Sequence, residues 1–147
     1  MLRDIIQLFA RLAVGATLLS AVADRFGLWG PHGATNVAWG DFTHFTAYTA
    51  AVNSFLPASL APTIAVLSTI FETLFGIALI AGLFTRLTAI GSGCLFATFA
   101  IAMSISFGAK KPLDFSVFGD CAAAFLLALA SHYRWSLDEL VARMRNH

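Results

Sequence analysis

Charge is scarce in this chain. Asp, Glu, Lys and Arg make up 12% of its 147 residues, about half the roughly 25% usual in soluble domains. What charge there is almost cancels, to a formal net +1, so the basic footprint needed for nucleic acid is missing. Cysteine is nearly absent. Cys94 and Cys121 both lie in apolar runs and form no Cys-x-x-Cys pair, which excludes a local dithiol redox motif. They read as small buried hydrophobes, and a disulfide between them would need facing helices at matching depth. Histidine is missing from the apolar interiors: His32, His44 and His147 lie outside them and His132 is terminal, which excludes a bis-histidine haem within the membrane. No His-Cys spacing suits zinc, so no metal site is expected. A phosphate-cradling glycine loop and a Gly-x-Ser-x-Gly elbow are also missing.

What the chain does have is hydrophobicity. Hydrophobic residues make up 59% of it, with fourteen Phe, and mean hydropathy is +0.79. That composition belongs to the membrane class. Four apolar runs stand out, at about Ile5–Ala23, Thr63–Phe84, Leu87–Phe107 and Leu113–His132. Each approaches the ~20 residues that span a bilayer as a helix. The first follows Arg3 but is long for a signal core and contains Arg11, so it reads as a retained helix and not a cleaved leader. The expectation is a single all-α membrane unit over residues 1–147, a four-transmembrane-helix bundle in up-down order.

The connection from Arg25 to Pro62 differs in kind. It holds Trp29, Trp39, Tyr48, His32, His44 and Asn53, and turn residues at Gly30-Pro31-His32-Gly33. Asp41–Leu56 lacks breakers and is predicted to form a helix too polar to span, lying at the interface or folding back over the bundle. Either an aromatic interfacial belt or a dedicated pocket accounts for its aromatics. Ser136–His147 reads as a short amphipathic helix at the membrane surface, with Ser136 and Glu139 as a capping box.

Four spans put both termini on the side of the Arg86 turn. That side carries Arg3, Arg134, Arg143 and Arg145 as well, against Arg25, Lys110 and Lys111 on the other. The positive-inside rule then places both termini in the cytoplasm of a multi-pass protein of the bacterial inner (plasma) membrane.

Ionisable groups inside apolar spans mark function, because each costs about 3 kcal/mol on insertion scales. Arg11, Glu72 and Asp120 are such groups. Arg11 shares a helix face with Gln7 and Gly15 and either snorkels toward the cytoplasmic surface or pairs inward with a carboxylate or an anionic ligand. Glu72 lies mid-span with Ser68 and Gly76 at spacing of four. Asp120 has Ser116 and Ala124 at the same spacing. One cation cannot satisfy two separated acids, so Glu72 and Asp120 are candidate proton-handling groups with Arg11 as charge partner. A static charge cluster fixing helix register is the competing reading. Phe71, Phe75 and Phe118 are candidates to line a ligand slot, as is His44 in the outer connection. Gly91-Ser92-Gly93, with Ala89 and Ala97, reads as a small-residue packing face.

Taken in order, Arg11-Leu12-x-x-Gly15, Glu72 with Gly76, and Gly82-Leu83-x-Thr85-Arg86-x-x-Ala89 resemble the DoxX family of small four-helix membrane proteins. Asn36-Val37-Ala38-Trp39 and Ile105-Ser106-Phe107-Gly108 resemble one bacterial branch of it. The family takes its name from a subunit of a thiosulfate:quinone oxidoreductase, and relatives are linked to redox complexes, methylamine-dehydrogenase maturation and thiol stress. The resemblance implies a membrane accessory component of a redox system, a possible subunit of a quinone-linked oxidoreductase, and carries over Arg11 and Glu72. Asp120 rests on the residue reading alone. Three functions stay open: a quinone-proximal redox component with no covalent cofactor, a non-enzymatic scaffold or maturation factor, and a small proton-coupled transporter. Membrane lipid is an expected partner throughout, with a second protein or further copies of the chain.

Overall fold

The computed structural model describes residues 1–145. Every regular element among them is helical: α1 (Leu2–Arg25), α2 (Phe42–Val52), α3 (Ala61–Ala81), α4 (Thr85–Phe107), α5 (Lys110–Asp114), α6 (Val117–Ala128) and α7 (Leu137–Arg145), with a 3-10 turn at Ala58–Leu60 leading into α3. Helix α1, the stretch Ala58–Ala81 and α4 are the three helices long and apolar enough to cross a membrane, with mean hydropathies of 1.8, 2.1 and 1.8. Their outward faces present Ile6, Phe9, Leu74, Ile77, Leu87, Ile101 and Ile105, while Gln7, Arg11, Ser68, Thr69, Glu72, Thr88 and Ser92 are buried. Polar inside and apolar outside is the arrangement that lipid imposes.

The segment expected as a continuous fourth span, Leu113–His132, is divided instead. Ser116 takes a left-handed conformation, φ 56°, and separates the short α5 from α6. Helix α6 has 12 residues, about 18 Å at 1.5 Å per residue against a hydrocarbon core of roughly 30 Å. It stops at Ala128, where the Tyr133 hydroxyl donates to the Leu127 carbonyl at 3.2 Å.

Other ends shift for local reasons. Helix α1 runs past Ala23 through Asp24 and Arg25, because both side chains find partners described below. Helix α2 is shorter than Asp41–Leu56: Asp41 caps its start, accepting from the His44 N–H at 2.8 Å, and Asn53 ends it by donating Nδ2–H to the Thr49 carbonyl at 2.9 Å. Helix α3 ends at Ala81, not Phe84. Gly82 adopts φ 69°, and Leu83 N–H reaches back to the Ala78 carbonyl at 2.8 Å, the left-handed stop that glycine permits. Helix α4 then starts at Thr85, two residues before the expected Leu87, because the Asp138 carboxylate accepts from the Phe84 and Thr85 N–H groups, each at 2.7 Å. Ser136 begins α7 as expected, its Oγ accepting from Glu139 N–H at 3.1 Å. The Glu139 carboxylate completes the cap one residue early, on Trp135 N–H at 2.8 Å. Asn146 and His147, which close the expected helix, lie outside the described residues.

Helix α1 packs chiefly on α3, and α4 on α6. Val14, Leu18, Leu79, Ala89, Phe96, Ala124 and Leu127 form the shared core. The Gly91–Gly93 stripe is part of that packing. A Cβ at Gly91 would stand 2.7 Å from the Phe75 ring, and one at Gly93 2.8 Å from the Phe125 ring. At one end the start of α1, the α3–α4 turn and the C-terminal segment are tied together by Gln7 Nε2–H to the Arg134 carbonyl at 3.0 Å, His132 to Asp4 at 2.9 Å, and Asp138 N–H to the Gly82 carbonyl at 3.0 Å. At the other end α2 folds back over α3 and α4, where the Ser106 hydroxyl donates to the Val52 carbonyl at 2.6 Å.

Candidate functional site

The central ion pair of the bundle joins Arg25 to Glu72. Arg25 Nη2 donates to Glu72 Oε1 at 2.8 Å and Oε2 at 2.6 Å, and Nη1 donates to Thr69 Oγ1 at 2.8 Å. The two side chains are 3% and 1% exposed, so the pair is withdrawn from solvent entirely. The Phe45 ring of α2 lies over the guanidinium, its centroid 3.7 Å from Cζ, and Trp39 stands at 5.3 Å. Such a cation under aromatic rings gains from their quadrupoles once desolvated.

Asp24, next to Arg25, organises the loop that brings Trp39 there. Its Oδ2 accepts from Ala38 N–H at 2.9 Å, and its Oδ1 from Trp39 and Gly40 N–H at 2.8 and 2.9 Å. The aromatics continue outward, with Trp39 5.0 Å from Phe45 and 5.5 Å from Tyr48 between ring centroids. Burial pushes the Tyr48 phenol above its ordinary value. Asp41 is held below the ordinary carboxylate range, first by the His44 backbone N–H and then by the His44 ring, whose Nδ1 lies 2.8 Å from Oδ2.

These groups surround a cavity of about 950 Å³ between α1, α2, α3, α4 and the α5–α6 segment. Arg25 and Glu72 are in its wall, with Asp120 of α6 and His32 and His44 of the connection between α1 and α3. Trp39, Phe45, Tyr48, Phe96, Phe99 and Phe107 are among its aromatic lining. The Asp120 carboxylate has no hydrogen-bond or ion partner among the described residues. The arrangement offers an apolar body-sized space, a neutralised ion pair, and one uncommitted acid.

Arg11 is elsewhere. It is 2% exposed and points to the opposite end, where Nη2 donates to the Trp135 carbonyl at 2.7 Å. The expected role of charge partner to Glu72 or Asp120 therefore falls to Arg25 in the case of Glu72, and to no residue described for Asp120. Arg11 instead holds the C-terminal segment against α1. The expected lining aromatics also differ. Phe71 is 46% and Phe118 43% exposed, both turned away from the cavity. Phe75 packs against Phe71 and Gly91. Helical phase explains this: α3 turns Glu72 inward, so its neighbour Phe71 must face out. Glu72, Asp120 and His44 do line one cavity.

The DoxX family model matches residues 6–105, more than half of the chain. The chain belongs to the DoxX family. No curated protein and no solved structure matches it. The matched stretch of this DoxX protein includes Arg11, Arg25 and Glu72, whereas Asp120 lies beyond it.

Arg25 is the functional residue that reading along the sequence missed. It follows Asp24 and precedes Gly27, Gly30 and Pro31, so it looks like a loop charge at a helix end. A signal was present: Arg25 follows Leu18 and Arg11 at intervals of seven, which returns to one helix face. In this DoxX protein that face is the one that meets α3.

Proposed function

We propose that this DoxX protein is a membrane accessory component of a redox system that holds an amphipathic, quinone-type ligand in the cavity between α2 and α6. The observation that carries the reading is the conjunction of a 950 Å³ aromatic-walled cavity with the uncommitted carboxylate of Asp120. Ligand pockets commonly run from about 300 to 1,000 Å³, largely apolar with a few placed polar groups. A substituted benzoquinone ring with the first part of its tail fits that space and that lining. When bound, such a ligand supplies paired electron and proton chemistry. Asp120 gives and takes the proton at the ligand oxygen. Arg25 and Glu72 hold the wall with no net charge, and Trp39, Phe45 and Phe99 exclude water and orient the ring.

The geometry changes which acid to test. Both Glu72 oxygens accept from Arg25, so Glu72→Gln disturbs packing before it disturbs a ligand. Asp120→Asn and Ile64→Trp, the latter placing bulk in the cavity wall, are cleaner probes. Lipid extraction and native mass spectrometry of the purified protein are expected to show a stoichiometric quinone in wild type and its loss in Ile64→Trp. A folded wild type that retains no quinone would overturn the reading.

A scaffold or maturation role is favoured by a different feature. Ala13, Ala16, Thr17, Ser20 and Ala21 line a second groove of about 510 Å³ along α1, small residues of the sort that let another helix approach closely. A protein partner or a further copy of the chain would be held there.

The membrane placement follows the same proposal. Helices α5 and α6 together make the fourth crossing of a four-helix bundle. Because Arg25 is buried in an ion pair, it does not count as a loop charge. Arg3, Arg86, Arg134, Arg143 and Arg145 at one end then face only Lys110 and Lys111 at the other, which favours both termini in the cytoplasm and the cavity toward the outer face of a bacterial inner membrane.

A further inference from the structure

Helix α4 begins without a cap of its own. Phe84 holds its N-cap position with no capping side chain, and no acid stands in its first turn, where Arg86 follows Thr85. The first N–H groups of a helix have no intrahelical partner and concentrate positive charge, so they favour an anion. Here the anion comes from another helix. Asp138 accepts from the Phe84 and Thr85 N–H groups, each at 2.7 Å.

A buried cation meets the same turn. Arg11 is 2% exposed, and a Cβ at Gly82 would stand 2.7 Å from its Nη1. Nη2 donates to the Trp135 carbonyl at 2.7 Å, whereas Nε and Nη1 are buried with no partner. Asp138 is the acid whose charge acts on Arg11, yet its two oxygens are engaged by the backbone of α4. The Thr85 hydroxyl is buried and likewise without a partner. Gln7 Oε1, one turn earlier on α1, is a buried acceptor left over as well.

Unused donors on a desolvated cation are costly. Arg25 meets a carboxylate at 2.6 Å, but Arg11 meets a neutral carbonyl. Its surroundings supply what a phosphate group takes: a helix N-terminus, a guanidinium and a hydroxyl. The carboxylate of Asp138 has two oxygens, both in use. A phosphate group has more, in a tetrahedral array that can accept from the α4 N–H groups and from Arg11 together.

We propose that the N-terminus of α4, with Arg11 and Thr85, is a binding site for a phosphate group, and that Asp138 occupies it as a built-in competitor. The phosphate and the C-terminal helix then exclude one another. No residue of α7 is buried, so little packing opposes its release, and withdrawal of the Trp135 carbonyl frees Arg11 Nη2 as a third donor. The phosphate belongs to a lipid headgroup, which this end of the bundle meets on the placement proposed above, or to a free anion. The site lies at the other end of the bundle from the cavity and stands independently of the quinone reading.

Amide exchange at Phe84, Thr85 and Arg86 reports occupancy, in the full-length protein in phosphatidylcholine nanodiscs. Inorganic phosphate is titrated against sodium chloride of matched ionic strength, and phosphatidic acid is separately mixed into the nanodisc. In Asp138→Ala these amides are expected to exchange fast without phosphate and to slow about tenfold at about ten times its Kd. Wild type is expected to bind the same probe roughly three- to thirtyfold more weakly, the worth of the helix cap that phosphate has to displace. Added to Asp138→Ala, Arg11→Met is expected to abolish protection. Thr85→Val, which removes a hydroxyl with no partner to lose, is expected to weaken it roughly three- to tenfold, and carries the test if Arg11→Met does not fold. Protection by phosphatidic acid alone assigns a lipid headgroup, and by inorganic phosphate alone a soluble anion; either supports the site. Folded Asp138→Ala that neither probe protects beyond the chloride control would overturn it. Wild type binding as tightly as Asp138→Ala would overturn the competition, and protection undiminished in Arg11→Met and Thr85→Val would overturn the assignment to these residues.

Discussion

Gly15 on α1 and Gly76 on α3 meet backbone to backbone. A Cβ built at Gly76 would lie 3.1 Å from the Gly15 carbonyl oxygen, and one built at Gly15 would lie 3.0 Å from that of Gly76. From this crossing α1 runs on to Arg25 while α3, antiparallel to it, runs back to Glu72 and Thr69. The close approach of two bare backbones fixes the distance over which Arg25 reaches its carboxylate. Packing of this kind takes the place of a hydrophobic driving force between helices in lipid.

Gly76→Val puts branched bulk into that crossing, where the Leu19 side chain already stands 2.7 Å from the position of a Cβ. Overpacking costs about 1–3 kcal/mol. A clear fall in thermal midpoint in detergent is expected, with Gly76→Ala intermediate because Leu19 can move and the Gly15 carbonyl cannot. An unchanged midpoint for Gly76→Val would mean that α1 and α3 separate freely.

The Arg25–Glu72 pair makes a second, independent prediction. Removing one member of a buried pair leaves an uncompensated charge and costs about 3–5 kcal/mol, whereas replacing both with apolar residues is often close to neutral. Arg25→Met and Glu72→Leu are each expected to destabilise strongly, and the double variant to recover most of the loss. Chemical unfolding of the three variants forms a double-mutant cycle. Simple additivity would show that the pair is not coupled.

Much of this architecture was legible in the sequence, and the reasons are local. Long apolar runs report membrane helices because lipid demands them, and Glu72 reports itself because a carboxylate in such a run has to be matched. Gly15 and Gly76 stood out at spacing of four from Arg11 and Glu72, and they lie where α1 meets α3, a contact that spacing alone does not name. The partner of Glu72 was not legible, because two arginines lie on that face of α1 and only depth distinguishes them. Arg11 starts near the end that receives the C-terminal segment, and Arg25 near the end that receives α2. Depth along a helix becomes a contact only once the antiparallel register is known. The division of the last apolar segment was hidden for a similar reason: Ser116 is an ordinary residue whose left-handed conformation leaves no mark in composition. Membership of the DoxX family was recoverable from motif order alone.

Asp41 gives the N-terminal cap of α2 a dependence on pH. Its carboxyl is held below the ordinary aspartate value by the His44 backbone N–H and ring. The contribution to α2 is therefore complete above that ordinary value, near 4, and is lost as pH falls through the lower value of the folded protein. Trp39 packs on Phe45 and Tyr48 of α2, so its fluorescence reports the helix. Acid titration is expected to shift that emission only below about pH 4 in wild type. Asp41→Asn, which still caps but does not ionise, should abolish the shift. A shift that persists in the variant would assign it to another group.

Asp138 ties the C-terminal helix to the α3–α4 turn. Its carboxylate caps α4 through Phe84 and Thr85, both at 2.7 Å, while its own N–H binds the Gly82 carbonyl at 3.0 Å. The C-terminal helix thus supplies the cap of a membrane-spanning helix 53 residues earlier in the chain. Asp138→Ala removes a helix cap, worth about 0.5–2 kcal/mol, and frees α7 from the α3–α4 turn. Faster trypsin cleavage after Arg134 and Arg143 in nanodiscs is expected, with faster amide exchange at Thr85 and Arg86. Asp138→Asn keeps one acceptor oxygen and should fall between. Ligand affinity at the cavity should not change, because Asp138 lies at the opposite end of the bundle. Unaltered proteolysis in Asp138→Ala would show that the membrane surface, and not this cap, holds α7 in place.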